Sequence, residues 1–302
     1  MAYMVEGRFH EGDDVTQTIP SGEWERSKST VRHRIGDADF PSDPSRYHLY
    51  VAWNCPWAHR TLLVRAIMGL EAITVSYARP NRTGEGWVYD ESGPYSDPLM
   101  GVRALHQVYG ADPMKYTGRL TVPVLWDKVA GRMVSNESAD IVRMFAQQFD
   151  GPDLCPAQHL DEIEEWNSVI YDRVNNGVYK AGFASTQDAY ENAAWQLFET
   201  LDRIDAHLAG RQFLVGDTLT EADLRLFPTL ARFDVAYHYA FRCNLRKLSD
   251  YTNLWPYAKR IYHLPGIAET VRFDIYKKGY FSASEKRNPL GIIPIGPIVD
   301  WS

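Results

Sequence analysis

The sequence predicts a four-stranded α/β domain followed by an all-helical domain, and three observations predict it. The string YHLYVAWNCPWAHR at 47–60 passes from strand-like alternation into a helical run. The strings TVPVLWD at 121–127 and GRMVS at 131–135 read as a hairpin that runs straight into a helix. After Gly151, Pro152 and Pro156, strand periodicity gives way to helical periodicity up to about 272. At 302 residues and 45% apolar, the chain is long enough for two cores.

Residues 1–45 are polar, with the isolated aromatics Phe9, Trp24 and Phe40. They read as an extended arm over the folded body, because a disordered tail gives Trp24 no reason to be there. Pro41 and Pro44 punctuate the approach to the first strand. In that strand Leu49, Val51 and Trp53 alternate with Tyr50 and Ala52, and 57–70 has the spacing of a buried helix. Cys55 falls at the junction. Pro56 suits the first helical turn, since its missing N–H has no intrahelical partner there. A cysteine at a helix start meets unpaired N–H groups and the positive end of the dipole, which favour anionic sulfur. Ala58 occupies the position of a second cysteine in a C-x-x-C pair, which points to one-thiol chemistry that draws on an external thiol.

A short strand follows at 71–78, parallel to the first because a helix separates the two. The Gly-, Pro- and Asp-rich stretch 79–118 is too long for a plain connector, and a functional loop or irregular helix is expected in part of it, at 98–110. Trp87 lies in it where no periodic face claims it. Pro123 implies either an edge strand or a backbone turned outward. Asn136 is expected to cap the next helix, with Glu137 and Ser138 in its first turn.

In the helical part, Ala189, Ala193, Leu197, Leu201 and Ile204 form one apolar stripe, and Thr220 with Asp223 forms a capping box. Tyr179, Tyr237, Tyr276 and Tyr280 stand out from that packing pattern. The ending KRNPLGIIPIGPIVDWS is too dense in Pro and Gly for helix or central strand, and reads as an extended cover. The domain boundaries are thus 1–45 for the arm, 46–150 for the α/β domain, 157–275 for the helical domain and 276–302 for the tail.

A net charge of -7, with 39 acids against 32 bases, offers no general attraction for nucleic acid or an anionic membrane. There is no apolar stretch of spanning length and no basic flank leading into an apolar run, so a soluble cytoplasmic protein is expected. Cys55, Cys155 and Cys243 are too few and too far apart for a disulfide framework. His48 and His59 flank Cys55 without a second cysteine or a carboxylate at ligand spacing, so no metal is expected.

The combination of NCPWAHR at 54–60, VPVLWD at 122–127, NESADI at 136–141, FDVAYHYAFRCN at 233–244 and NPLGIIPIGP at 288–297 resembles the glutathionyl-hydroquinone reductases, the Xi class of glutathione transferases. The resemblance covers nearly the whole chain. It implies a thioredoxin-like N-terminal domain and an all-α glutathione-transferase C-terminal domain, with glutathione as co-substrate and a homodimer as the assembly. It implies that Cys55 attacks the sulfur of a glutathionylated hydroquinone, and that a second glutathione resolves the mixed disulfide. Trp87, Arg119, Val122, Glu137 and Ser138 are then the glutathione contacts, with Val122 pairing through its backbone and Arg119 serving the glycyl carboxylate. Tyr179 and Tyr280 are implied as catalytic phenols, and Tyr237 as a substrate contact. The family commonly has Phe where Trp24 stands.

An ordinary conjugating transferase activates glutathione through a Ser or Tyr hydroxyl, and Cys55 opposes that reading. An omega-like thiol transferase or dehydroascorbate reductase remains the alternative. A non-enzymatic scaffold of the same fold has no use for the complete set of residues.

Overall fold

The computed structural model describes residues 2–12, 19–285 and 287–302. Met1 and residues 13–18 of the arm, with Lys286, lie outside the described residues. The chain divides into two compact units. One contains 2–12 and Lys28–Pro152, the other 19–27 and Asp153–Ser302.

In the first unit, β1 (Tyr3–Val5) and β2 (Arg8–His10) form a hairpin around Glu6 and Gly7, both at positive φ. This hairpin is absent from the sequence reading of the arm. The centre of the unit is a second sheet. β3 (Tyr47–Ala52) pairs in parallel with β4 (Thr74–Ala78), as the intervening helix α1 (Pro56–Ile67) requires. Helix α2 is Leu105–Ala111, a shorter element than the irregular helix expected over 98–110. β5 (Gly118–Arg119) joins the hairpin sheet by pairing with β1. β6 (Val124–Asp127) and β7 (Arg132–Ser135) complete the central sheet in the order β4-β3-β6-β7. Pro123 lies just outside β6, and β6 is an inner strand. The edge-strand alternative therefore fails, and the proline avoids the ladder by preceding it. All six residues of β3 are buried.

The last helix of this unit, α3 (Ser138–Gln148), packs on α1 and buries Ile141, Val142, Met144 and Phe145. Each such side chain contributes about 1.5–3 kcal/mol of hydrophobic stabilisation. Its cap is Glu137, one residue later than expected, and the Glu137 carboxylate accepts from the Ala139 N–H at 3.1 Å. Asn136 is drawn away from capping by tertiary partners. Its Oδ1 accepts from the Val31 N–H at 3.2 Å and its Nδ2 donates to the Tyr109 hydroxyl at 3.3 Å.

No strand occurs in the second unit among the described residues beyond isolated bridges. Its helices are α4 (Leu160–Val169), α5 (Gly177–Phe183), α6 (Gln187–His207), α7 (Glu221–Arg232), the single turn α8 (His238–Ala240), α9 (Leu254–Tyr262) and α10 (Phe273–Tyr280). Two π-helical segments interrupt the regular winding, Ile170–Asn175 before α5 and Phe233–Tyr237 before α8. The stripe on α6 is buried at Ala189, Ala193, Leu197, Leu201 and Ile204. The capping box is present, and Asp223 accepts from the N–H groups of Thr220 and Leu214 and from the Tyr257 hydroxyl. Because α10 holds Tyr276 and Tyr280, the irregular tail starts after it and not at 276. Trp301 anchors the tail among Trp255, Tyr262 and Phe273, while Leu290, Ile295 and Ile298 stay exposed, so those residues cover nothing within this chain.

Candidate functional site

Cys55 is the N-cap of α1, with Pro56 at the first helical position. Alternation along β3 ends at Ala52, whose carbonyl receives the Cys55 N–H at 3.0 Å, and this turn sets the sulfur at the carboxyl end of the strand. The side chain is 8% exposed and makes no capping bond. Its Sγ lies 3.5 Å from the Val122 carbonyl oxygen, to which the thiol donates. The Val122-Pro123 bond is cis. Thus two residues read separately from the sequence, the helix-start cysteine and the residue before the proline, stand together.

Glu137 and Ser138 open α3, the helix that packs on α1. The Ser138 hydroxyl accepts from an Arg60 guanidinium nitrogen at 3.4 Å. Arg60 is 2% exposed and lies over the Trp57 ring at 4.6 Å. A guanidinium is always protonated, so this buried group is a fixed positive charge beside the start of α3. The sequence reading passed over Arg60, although it lies in the NCPWAHR string. Its signal was an arginine in the apolar first turns of a helix, where burial has to be offset by specific partners.

Trp87 is buried, with the Arg82 guanidinium 4.1 Å from its ring centre, and its carbonyl accepts from the Leu105 N–H. Arg119 stands apart from the central sheet. It lies on β5, opposite Tyr3 of β1, and its carbonyl accepts from the Tyr116 hydroxyl.

In the second unit, three tyrosines distant in sequence come together. The Tyr280 hydroxyl is 3.0 Å from that of Tyr179 and 2.9 Å from that of Tyr237. Tyr237 closes one π-helical segment, and Tyr179 follows the other within α5. Such departures from regular winding are frequent at functional sites. Phe241 stacks on Tyr237 at 5.3 Å and meets Tyr179 edge-on at the same distance. Gly182 makes this possible, because a Cβ there would come within 2.3 Å of the Phe241 ring.

The three phenols form a hydrogen-bonded chain. Tyr237 is fully buried, and its hydroxyl shares a hydrogen bond with that of Tyr280 in which either oxygen can be the donor. Tyr280 is in turn hydrogen-bonded to Tyr179, which is partly exposed at the outer end. Burial holds Tyr237 and Tyr280 well above the ordinary phenol range, with Tyr179 adding to the effect and Arg232 opposing it. Both are therefore protonated at neutral pH. Tyr276, singled out with them in the sequence, belongs elsewhere: it is fully buried under the Arg232 guanidinium at 3.8 Å.

The other cysteines have different settings. Cys155 donates to the buried Glu221 carboxylate at 3.1 Å. Cys243 is fully buried, which pushes its thiol far up.

Comparison with known proteins agrees with this geometry. Residues 54–148 match the family described as glutathione S-transferase, N-terminal domain, and residues 187–260 match glutathione S-transferase, C-terminal domain. The chain is 43% identical to the glutathionyl-hydroquinone reductase PcpF of Sphingobium chlorophenolicum, over 98% of this chain and 96% of that protein. It is 44% identical to the glutathionyl-hydroquinone reductase YqjG of Escherichia coli, over 99% and 96%. Among solved structures, the glutathione transferase Xi of Phanerochaete chrysosporium superposes with a TM-score of 0.89 at 43% identity, covering 93% of this chain and 95% of that one. The Xi class transferase of Natrialba magadii gives 0.91 at 39% identity, covering 100% and 94%. Full-length identity of this order, with both domain families matched in sequence, shows that the chain belongs to the Xi class of glutathione transferases, the family of the glutathionyl-hydroquinone reductases.

Proposed function

We propose that this protein reduces glutathionyl-hydroquinones to hydroquinones at the expense of glutathione. The Cys55 thiolate attacks the glutathione sulfur of the thioether, forming an S–S bond as the carbon–sulfur bond breaks. The ring carbon takes up a proton from the phenol chain, so the ring is reduced and sulfur is oxidised. A second glutathione, as thiolate, then attacks the mixed disulfide, releasing glutathione disulfide and the Cys55 thiolate. The observation that carries the reading is Cys55 as N-cap of α1, beside Val122 and with Ala58 in place of a resolving cysteine. A relative 43% identical over 98% of this chain is named for this reaction.

In this reading the α/β part, about 46–150, is the glutathione module. Glu137 and Ser138 receive the γ-glutamyl end, Val122 pairs through its backbone, and Trp87 and Arg119 complete the contacts. The helical part, about 157–275 together with α10, supplies the ring site and the dimer interface. Tyr179 and Tyr280 act as proton donors, and Tyr237 supports Tyr280. No helix among the described residues is long and apolar enough to cross a membrane. With the free cysteines Cys55, Cys155 and Cys243, this supports a cytoplasmic setting.

An omega-like thiol transferase or dehydroascorbate reductase is the second reading, because a relative from Schizosaccharomyces pombe, 42% identical over 92% of this chain, is named glutathione S-transferase omega-like 2. The phenol chain favours the first, since reduction of a disulfide requires no carbon protonation. The test supplies glutathionyl-menadiol and glutathione to the wild type, to Cys55→Ser and to the double variant Cys155→Ser with Cys243→Ser. Only Cys55→Ser is expected to lose quinol release and the mass of a glutathione adduct. Retention of thioether reduction by Cys55→Ser would overturn the assignment.

A further inference from the structure

We propose that the N-terminal arm is a working part of the phenol site: residues 19–24 form a latch that presses Trp24 against Tyr179, making Trp24 a positioning residue for ring reduction. The proposal rests on the functional reading above and adds to it a residue outside the motifs that carry that reading.

The observations all lie within the helical unit, to which 19–27 belong. The arm makes a tight turn there, with the Gly22 N–H donating to the Ile19 carbonyl at 2.8 Å and the Ile19 N–H to the Glu23 carbonyl at 2.9 Å. This turn is fastened to the connection between α5 and α6. The Ser185 N–H donates to the Gly22 carbonyl at 3.0 Å, and the Thr186 hydroxyl donates to the Ser21 carbonyl at 3.3 Å. Gly22 is required twice over. Its φ is +86°, and a Cβ would sit 2.5 Å from Thr186 Oγ1. Thr186 is also the cap of α6, so the arm is tied to a fixed point.

Two residues beyond the latch, Trp24 is buried at 6% exposure and stacks on Tyr179, with ring centres 5.6 Å apart at 26°. It also stacks on Phe183 at 6.2 Å. Tyr179 lies nearly parallel to Phe183 and meets Phe241 edge-on. Trp24 therefore supplies a ring contact to Tyr179 from outside the helices, and it fixes the ring whose hydroxyl ends the phenol chain. A phenol free to tilt by an ångström delivers its proton poorly, whereas sulfur-to-sulfur exchange at Cys55 does not use that phenol.

The test compares wild type, Trp24→Ala and Trp24→Phe. The readouts are the kcat and KM for glutathionyl-menadiol and for the mixed disulfide of glutathione with 2-mercaptoethanol. Trp24→Ala is expected to lower the ratio of quinol to disulfide turnover about 10- to 100-fold, chiefly through kcat, and Trp24→Phe to restore most of it. A parallel loss on both substrates, or no rescue by Phe, overturns the proposal. In a separate measurement, 3-fluorotyrosine is incorporated and the Tyr179 resonance is assigned with Tyr179→Phe. Trp24→Ala is expected to shift that resonance, because the stacked indole shields it; an unmoved resonance overturns the latch whatever the activity. A wild type inactive on glutathionyl-menadiol defeats the functional reading instead, and the resonance still decides whether Trp24 seats Tyr179.

Discussion

Acid is expected to weaken the α/β unit through one buried histidine on the strand that leads to Cys55. His48 of β3 is fully buried, with Nδ1 2.7 Å from the Thr74 hydroxyl and Nε2 2.8 Å from the Ser76 hydroxyl. Ser76 donates to Asp97 at 2.6 Å, so its oxygen accepts from His48, which places the ring proton on Nε2. Burial lowers the His48 pKa from 6.5 to about 4, with Lys128 adding slightly and Asp97 opposing. Above pH 6.5 the ring is neutral in both states and nothing is lost. Between pH 6.5 and 4 the unfolded chain binds a proton that the folded chain refuses, so stability falls as pH falls. At about 1.4 kcal/mol per unit, the loss is roughly 2 kcal/mol by pH 5 and about 3 kcal/mol by pH 4. The perturbation is His48→Gln, which keeps hydrogen-bonding capacity without titrating in this range. Urea unfolding at pH 7 and pH 5, followed by tryptophan fluorescence, measures the change in stability for each protein. The pH 7 to 5 loss is expected to be about 2 kcal/mol smaller in the variant. Equal losses in the two proteins would refute the assignment of the acid sensitivity to His48.

Glu137→Ala is expected to weaken glutathione binding by about 2–3 kcal/mol, roughly 30- to 150-fold, by calorimetric titration; unchanged affinity would remove Glu137 from the site. Along the phenol chain, the loss in glutathionyl-menadiol turnover relative to disulfide turnover is expected to be largest for Tyr179→Phe and smallest for Tyr237→Phe, because the latter leaves the hydrogen bond between Tyr280 and Tyr179 intact. Asp223→Ala removes a cap and leaves the Tyr257 hydroxyl and the Leu214 N–H without their acceptor, for a cost of roughly 3–5 kcal/mol in chemical denaturation. A loss below about 1 kcal/mol would show that the capping box is dispensable.

What was legible in the sequence was local. The Cys55 junction could be read because alternation, Cys-Pro and helical spacing meet within ten residues, and the Thr220 and Asp223 box because both partners lie in one turn. The cap of α3 was misread by one residue, because the ordinary preference of Asn136 for capping lost to Val31 and Tyr109, partners invisible from its neighbours. The arm hairpin gave no signal, since three-residue strands carry no periodicity and the partner strand β5 lies more than a hundred residues away. Arg60 was in view within a motif, but its burial depends on α1 packing against α3. The tyrosines were marked by the family resemblance; periodicity alone does not bring together hydroxyls 101 residues apart.

The two units carry opposite halves of the proposed proton chemistry. On the α/β side the reacting sulfur must be an anion, and it is offered a helix start, while a fixed guanidinium at Arg60 stands beside the next helix start at Ser138. On the helical side the reacting groups must stay protonated until the carbon–sulfur bond breaks, and burial enforces that at Tyr237 and Tyr280. A lone buried phenol would be a poor acid for the same reason that it stays protonated. The chain offsets this: once Tyr179 gives up its proton, the Tyr280 hydroxyl 3.0 Å away can donate a hydrogen bond to the new phenolate, and the Tyr237 hydroxyl lies 2.9 Å from Tyr280. Three tyrosines are thus matched to a single proton delivery, a requirement that thioether reduction has and disulfide exchange lacks.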